Sequence, residues 1–116
     1  MGRLLIAFLL AITVHGTAQS SKTHGPDCSG GWPTNMAQAT LKNAGLLKNM
    51  EIDFTKTKTT RLASENVGKN LWHQVYFVTF FKRSGDKIQA VVVHDASIEE
   101  CSMTGVQVYV VSKLLH

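Results

Sequence analysis

The stretch Leu71–His94 constrains this chain more than any other. Leu71 to Phe81 is rich in aromatic and β-branched residues, Lys82-Arg83-Ser84-Gly85-Asp86-Lys87 interrupts it, and Ile88 to His94 resumes it. Such residues suit a pleated, half-buried surface, and a Gly-Asp pair at the break is a hairpin signal. With Gly85-Asp86 as a two-residue turn, Phe81 faces Ala90, Thr79 faces Val92 and Phe77 faces His94. One face then collects Leu71, Val75, Phe77, Phe81, Ile88, Ala90 and Val92. The other carries Trp72, Gln74, Tyr76, Val78, Phe80, Gln89, Val91, Val93 and Asp95. A three-residue turn slips the pairing by one and reverses every side chain of the second strand. The two-residue turn is preferred because it groups the aliphatic residues.

Upstream, Trp32-Pro33-Thr34-Asn35 opens a helix of about ten residues. Asn35 as N-cap puts Gln38 at the third helical position, a capping-box-like pair. Met36, Ala37, Thr40, Leu41 and Ala44 recur at three- and four-residue spacings. Gly45 suits the left-handed residue that ends the helix, with Leu46 folding back on the last turn. A helix this short is held by packing. Glu51–Leu62 alternates only at Ile52 and Phe54. Its Thr/Lys run, Thr55 to Thr60, reads as an interrupted edge strand, because lysine there blocks pairing with other chains. Arg61-Leu62-Ala63 is the better-formed part, and Ser64–Asn70 is a turn. Val106–Leu115 alternates as a last strand. One N-terminal helix packed on a four-stranded antiparallel sheet is an α+β layer.

The first residues read as a secretory leader. Met1-Gly2-Arg3 is a positive start, Leu4–Val14 is almost wholly apolar, and Gly16-Thr17-Ala18 is a small-residue cleavage site. The apolar run is shorter than the roughly 20 residues that span a bilayer. Cys28 lies too far past Ala18 to carry a lipid, so no stable membrane insertion is expected. Removing residues 1–18 from the 116 leaves 98, residues 19–116, as a single domain. A domain of that size buries about two-thirds of its unfolded surface and needs no metal or cofactor to fold. Its eleven Lys and Arg against eight Asp and Glu form no basic cluster, which argues against nucleic acid. In a periplasmic or secreted chain the two cysteines, Cys28 and Cys101, pair as a disulfide. The bridge ties the start of the helix to the lead-in of the last strand. A closed loop of about 74 residues stabilises by about 4 kcal/mol in the chain-entropy model, a large share of the roughly 5–15 kcal/mol of a whole domain.

Catalytic and metal-binding patterns are thin. His94-Asp95 is the one adjacent base–acid pair, with Ser97, Ser102 and Ser112 nearby, but strand neighbours point to opposite faces. No Gly-x-Ser-x-Gly occurs. His73 and His94 sit about 13 Å apart in this register, too far to share a zinc. Gly30-Gly31 matches no phosphate loop. No catalytic or metal residue is therefore assigned. A small hydrolase or metal-dependent enzyme using His94, Asp95, Glu99 or Glu100 is the alternative.

What remains is surface. The strand Leu71–Phe81 is apolar on both faces, which marks a strand covered on both sides, and one short helix covers one. Trp72, Gln74, Tyr76, Val78 and Phe80, with Tyr109 beside them, are the expected contact patch, since interfaces favour aromatic residues with a polar tip. The occupant is an unknown protein or a second copy. Sheet curl, the Trp32 segment and the 96–105 loop are the intramolecular way to shield the same residues. An apolar-ligand carrier with a closed cavity between helix and sheet is a third reading.

Two segments, Asp27-Cys28-Ser29-Gly30-Gly31-Trp32-Pro33-Thr34-Asn35 and Asp95 through Tyr109, resemble uncharacterised small exported proteins of Gram-negative bacteria. In architecture alone, a helix on an antiparallel sheet with one disulfide looks like the colicin M immunity protein and, more loosely, like cystatins. No motif is shared with either, and the cystatin-type Gln-x-Val-x-Gly loop is absent. The expectation is a non-catalytic binding module, inhibitor or immunity-type, acting through an aromatic sheet face.

Overall fold

The computed structural model describes residues 24–111, so the leader Met1–Ala18 and the chain after residue 111 lie outside the described residues. Helix α1 spans Trp32–Asn43, and β1 (Lys58–Gly68), β2 (Leu71–Phe81), β3 (Lys87–Ala96) and β4 (Gln107–Val110) follow. The strands form one antiparallel sheet in the order β1-β2-β3-β4. The disulfide joins Cys28, four residues before α1, to Cys101 in the β3–β4 connection, with Cα atoms 5.8 Å apart.

The central hairpin is present, but its register corrects the sequence reading. Phe81 pairs with Lys87, Tyr76 with Val92 and Trp72 with Ala96. The turn holds three residues, Arg83-Ser84-Gly85. Lys82 N–H donates to the Asp86 carbonyl at 2.7 Å, and Gly85 N–H donates to the Lys82 carbonyl at 2.9 Å. Gly85 takes a φ of 103°, the left-handed residue that follows a type I turn in three-residue hairpins. Grouping aliphatic residues misled because β3 carries valine on both faces. Ile88, Ala90, Val92, His94 and Ala96 share a face with Trp72, Gln74, Tyr76, Val78 and Phe80.

That shared face is the core. Tyr76, Val78, Phe80, Ala90, Val92 and Ala96 meet Ala37 and Leu41 of α1, together with Leu47 and Ile52 from the helix–sheet connection. The expected contact patch is thus interior: Trp72, Gln74, Tyr76, Val78 and Phe80 are all buried, and Tyr109 alone of the six is exposed. Trp72 is sealed by the lead-in to the helix. Gly25 approaches so closely that a Cβ there would lie 2.7 Å from Trp72 Cγ. The shielding comes from α1, this segment and the disulfide acting together, so the intramolecular alternative holds for these residues and the partner reading of this face does not.

Local chemistry accounts for the remaining boundaries. The helix begins at Trp32 rather than after Asn35, with Gly31 as N-cap and no capping side chain. Pro33 suits the first turn, whose N–H groups lack intrahelical partners, so the Asn35/Gln38 box is unused. Gly45, at φ 80°, ends the helix, and Leu46 N–H returns to the Leu41 carbonyl at 2.9 Å. Phe54–Lys56 is a single 3-10 turn, because Asp53 accepts from Thr55 N–H and Thr55 Oγ1. Ser64 to Gly68, expected as a turn, continues β1, and the reversal is Lys69-Asn70 with Asn70 at φ 52°. β1 is an edge strand, as its lysines indicated, and it carries a bulge between Arg61 and Ala63.

Candidate functional site

The buried side of the sheet holds a polar network instead of a binding patch. Tyr76 Oη accepts from Cys28 N–H and donates to Gln74 Oε1, both at 2.9 Å. Gln74 Nε2 donates to the Pro26 carbonyl at 2.8 Å and to Ser64 Oγ at 3.0 Å. Arg61 Nη1 donates to the same Pro26 carbonyl at 2.8 Å. These bonds fix the amide orientation, since only the NH2 group of Gln74 can serve the Pro26 oxygen. Burial pushes the Tyr76 phenol above its ordinary value. The network anchors the disulfide-bearing segment to the middle of β2; it is structural.

His94 belongs to this interior. Its Nδ1 lies 2.9 Å from the Cys101 carbonyl and its Nε2 lies 3.2 Å from Gln74 Oε1. Both neighbours are acceptors, whereas a neutral imidazole has one N–H to give. Charging the ring would satisfy both contacts, but burial holds its pKa below the ordinary histidine value. Asp95, one residue on, points to the other side and meets His73 Nδ1 at 2.6 Å. Glu99 accepts from Asn70 Nδ2 at 2.6 Å, and Glu100 is exposed. His94 and Asp95 both line a cleft at the sheet rim, but they leave β3 on opposite faces: Asp95 is hydrogen-bonded to His73, while His94 faces the Cys101 carbonyl and Gln74. Among the described residues, no three His, Cys, Asp or Glu side chains form a group that could hold a metal ion.

The clefts are shallow or polar. One of about 430 Å³ opens beside the end of α1, lined by Gln38, Lys42, Lys48 and Arg83 over Leu47 and Ile52. Another, about 240 Å³, lies along His73, His94, Asp95, Thr104 and Gln107 at the sheet rim. A third, also about 240 Å³, opens between the start of α1 and β1 along Ser29, Thr34, Phe54 and Thr59, and none of the three is the closed apolar cavity in which a carrier would hold a ligand.

The sheet's second side is the candidate site. Helix α1 leaves it uncovered, and the register arranges it in rows. Thr60, Phe77, Val91 and Tyr109 stand side by side across the four strands, and Ala63, Val75, Val93 and Gln107 form the next row. Val75, Phe77, Val91 and Val93 are half-buried, while Tyr109 is 55% exposed and Val111 40%. Toward one end of the sheet Lys58 flanks Thr79 and Gln89, and Lys87 flanks Phe81. Toward the other, Glu65, His73 and Asp95 share a row. Lys58 Nζ sits 5.9 Å above the Phe81 ring. An apolar band between a basic and an acidic margin is suited to association with a folded surface. Sequence reasoning assigned Val75, Phe77 and Phe81 to the helix side. The missed signal was Gly85, whose place as the third turn residue fixes the register.

Comparison with known protein families, with characterised proteins and with solved structures found no match to this chain. What the fold and the face define is a small disulfide-bonded α+β protein whose sheet, among the described residues, is clad by the helix on one side. No helix among its described residues is long and apolar enough to cross a membrane.

Proposed function

We propose that this protein is an exported, non-catalytic binding module, of inhibitor or immunity type, that meets a protein partner through the uncovered sheet face. The observation that carries this is the row pair Phe77–Val91–Tyr109 and Val75–Val93, an apolar band with no layer of the described chain over it. Export is supported by the leader-like Met1–Ala18 and by the Cys28–Cys101 bridge, which persists in oxidising compartments. The non-catalytic reading is supported by His94 and Asp95 leaving β3 on opposite faces with separate hydrogen-bond partners. The resemblance to small exported bacterial proteins and, in architecture, to the colicin M immunity protein points the same way.

The test is capture from periplasmic extract by the immobilised oxidised protein, beside Phe77→Lys and Val91→Lys. Both substitutions are at half-exposed positions, so near-UV circular dichroism should be unchanged. Retention of a specific protein should drop at least about tenfold, the equivalent of about 1.4 kcal/mol. Equal capture by folded variants would place the contact elsewhere.

A further inference from the structure

We infer that the occupant of the uncovered face is a second copy of this chain, packed face to face about a two-fold axis that crosses the strands over Tyr76. The inference rests on reading that face as a contact surface, and it names the partner. Its basis is the way charge and apolar rows are placed about the middle of β2. Lys58 pairs with Thr79 and Glu65 with His73, three residues to either side of Tyr76. A two-fold axis there, lying in the plane of the contact and perpendicular to the strands, reverses strand direction. It sets each Lys58 against the Glu65 of the other copy. The same operation lays the Thr60–Phe77–Val91–Tyr109 row on the Ala63–Val75–Val93–Gln107 row, and brings Thr79 and Gln89 against His73 and Asp95. The two central rows thereby meet each other, and the exposed Lys58 and half-buried Gln89 meet Glu65 and Asp95, as an isologous contact requires.

The bulge in β1 is what makes this complementarity available. Lys58 and Glu65 are seven residues apart, an odd spacing that places residues of a regular strand on opposite faces. The extra residue between Arg61 and Ala63 shifts the phase by one, so that both stand on the uncovered side. Each is exposed. Sheets packed face to face cross at about 30°. At the roughly 10 Å that three strand residues span, this displaces the margins by about 5 Å, within the swing of a lysine side chain. Four strands about 4.8 Å apart over some eight residues give a face of about 500 Å². Two copies bury about 1,000 Å², the small end of specific interfaces, so the dimer should dissociate in the micromolar range.

Sedimentation equilibrium of the oxidised protein from about 1 to about 1,000 µM, at low salt so that rim charges are not screened, tests this. The weight-average mass should rise from one chain toward two. Lys58→Glu should raise the dissociation constant at least about tenfold, and Lys58→Glu with Glu65→Lys should return it to within about threefold of the starting value. A dimer indifferent to Lys58→Glu, or one the double exchange fails to restore, overturns the proposed geometry. A monomer at every concentration overturns self-association. If Phe77→Lys still abolishes capture of an extract protein from that monomer, the contact face stands and only its occupant was misidentified; if capture is also unchanged, both fall.

Discussion

Replacing Tyr76 with Phe isolates the polar network from the packing around it. The ring stays in the core, where Tyr76 is completely buried, and only the hydroxyl is removed. Cys28 N–H then loses its acceptor and Gln74 Oε1 loses its hydroxyl donor, each at 2.9 Å. A buried group left without a partner costs about 1–3 kcal/mol. The amide of Cys28 is the fully orphaned one, while Gln74 Oε1 is left to compete with the Cys101 carbonyl for the single N–H of the neutral His94 ring, 3.2 Å away. The expected loss is about 2–3 kcal/mol. Against a domain stability of about 5–15 kcal/mol this is readily measured by urea unfolding of the oxidised protein, as a lower midpoint at unchanged slope. Tyr109→Phe is the control. Its hydroxyl is exposed and makes one long bond, 3.5 Å, to Gln107 Oε1, so it should change stability by less than about 0.5 kcal/mol. If the two variants lose the same small amount, the network does not anchor the disulfide segment and the reasoning fails.

Two further outcomes follow from the same interior. The His94 pKa is lowered in the folded state by burial, so the unfolded chain takes up the proton more readily. The stability tied to His94 is therefore complete above the unfolded value of about 6.5 and is lost as pH falls through the lower folded value. Unfolding free energies between pH 8 and 5 should show this decline, and His94→Gln should flatten it. Asp27, Glu51 and Asp53 are held below the carboxylate range by hydrogen bonds, so their losses come at lower pH; a level profile down to pH 5 would contradict the assignment. Gly25→Ala should cost at least about 2 kcal/mol, because φ is +79° and the new Cβ would meet Trp72 Cγ at 2.7 Å. Gly45→Ala, at φ +80° with nothing within 4 Å, should cost only the backbone strain of about 1 kcal/mol. Equal losses in chemical denaturation would show that the Trp72 contact is not tight.

The architecture was legible in the residues because each element carries its own local signal. The β-branched and aromatic run of β2, the glycine that stops α1 and the two cysteines gave a helix, an antiparallel sheet and the bridge between helix start and β4 lead-in. The binding face was not legible, and the reason is specific. A strand that is apolar on both sides does not say which side is inward; that depends on its partner's phase, and a single turn residue sets the phase. Gln74 misled further, because a polar residue among aromatic ones suggested an outer face, whereas inside it satisfies the Pro26 carbonyl. The continuation of β1 through Ser64–Gly68 was hidden by its polar composition, which an edge strand tolerates and a turn also favours.

The Cys28–Cys101 bridge has a consequence for biogenesis. Each strand pairs with the one just before or after it in the chain, so the meander can assemble from local reversals with little loop entropy to overcome. The covalent link is the connection that spans most of the domain, and with two thiols in the whole chain there is no mispaired isomer to resolve. Oxidation can therefore come late, on a scaffold already in place, and needs an oxidant but no reshuffling catalyst.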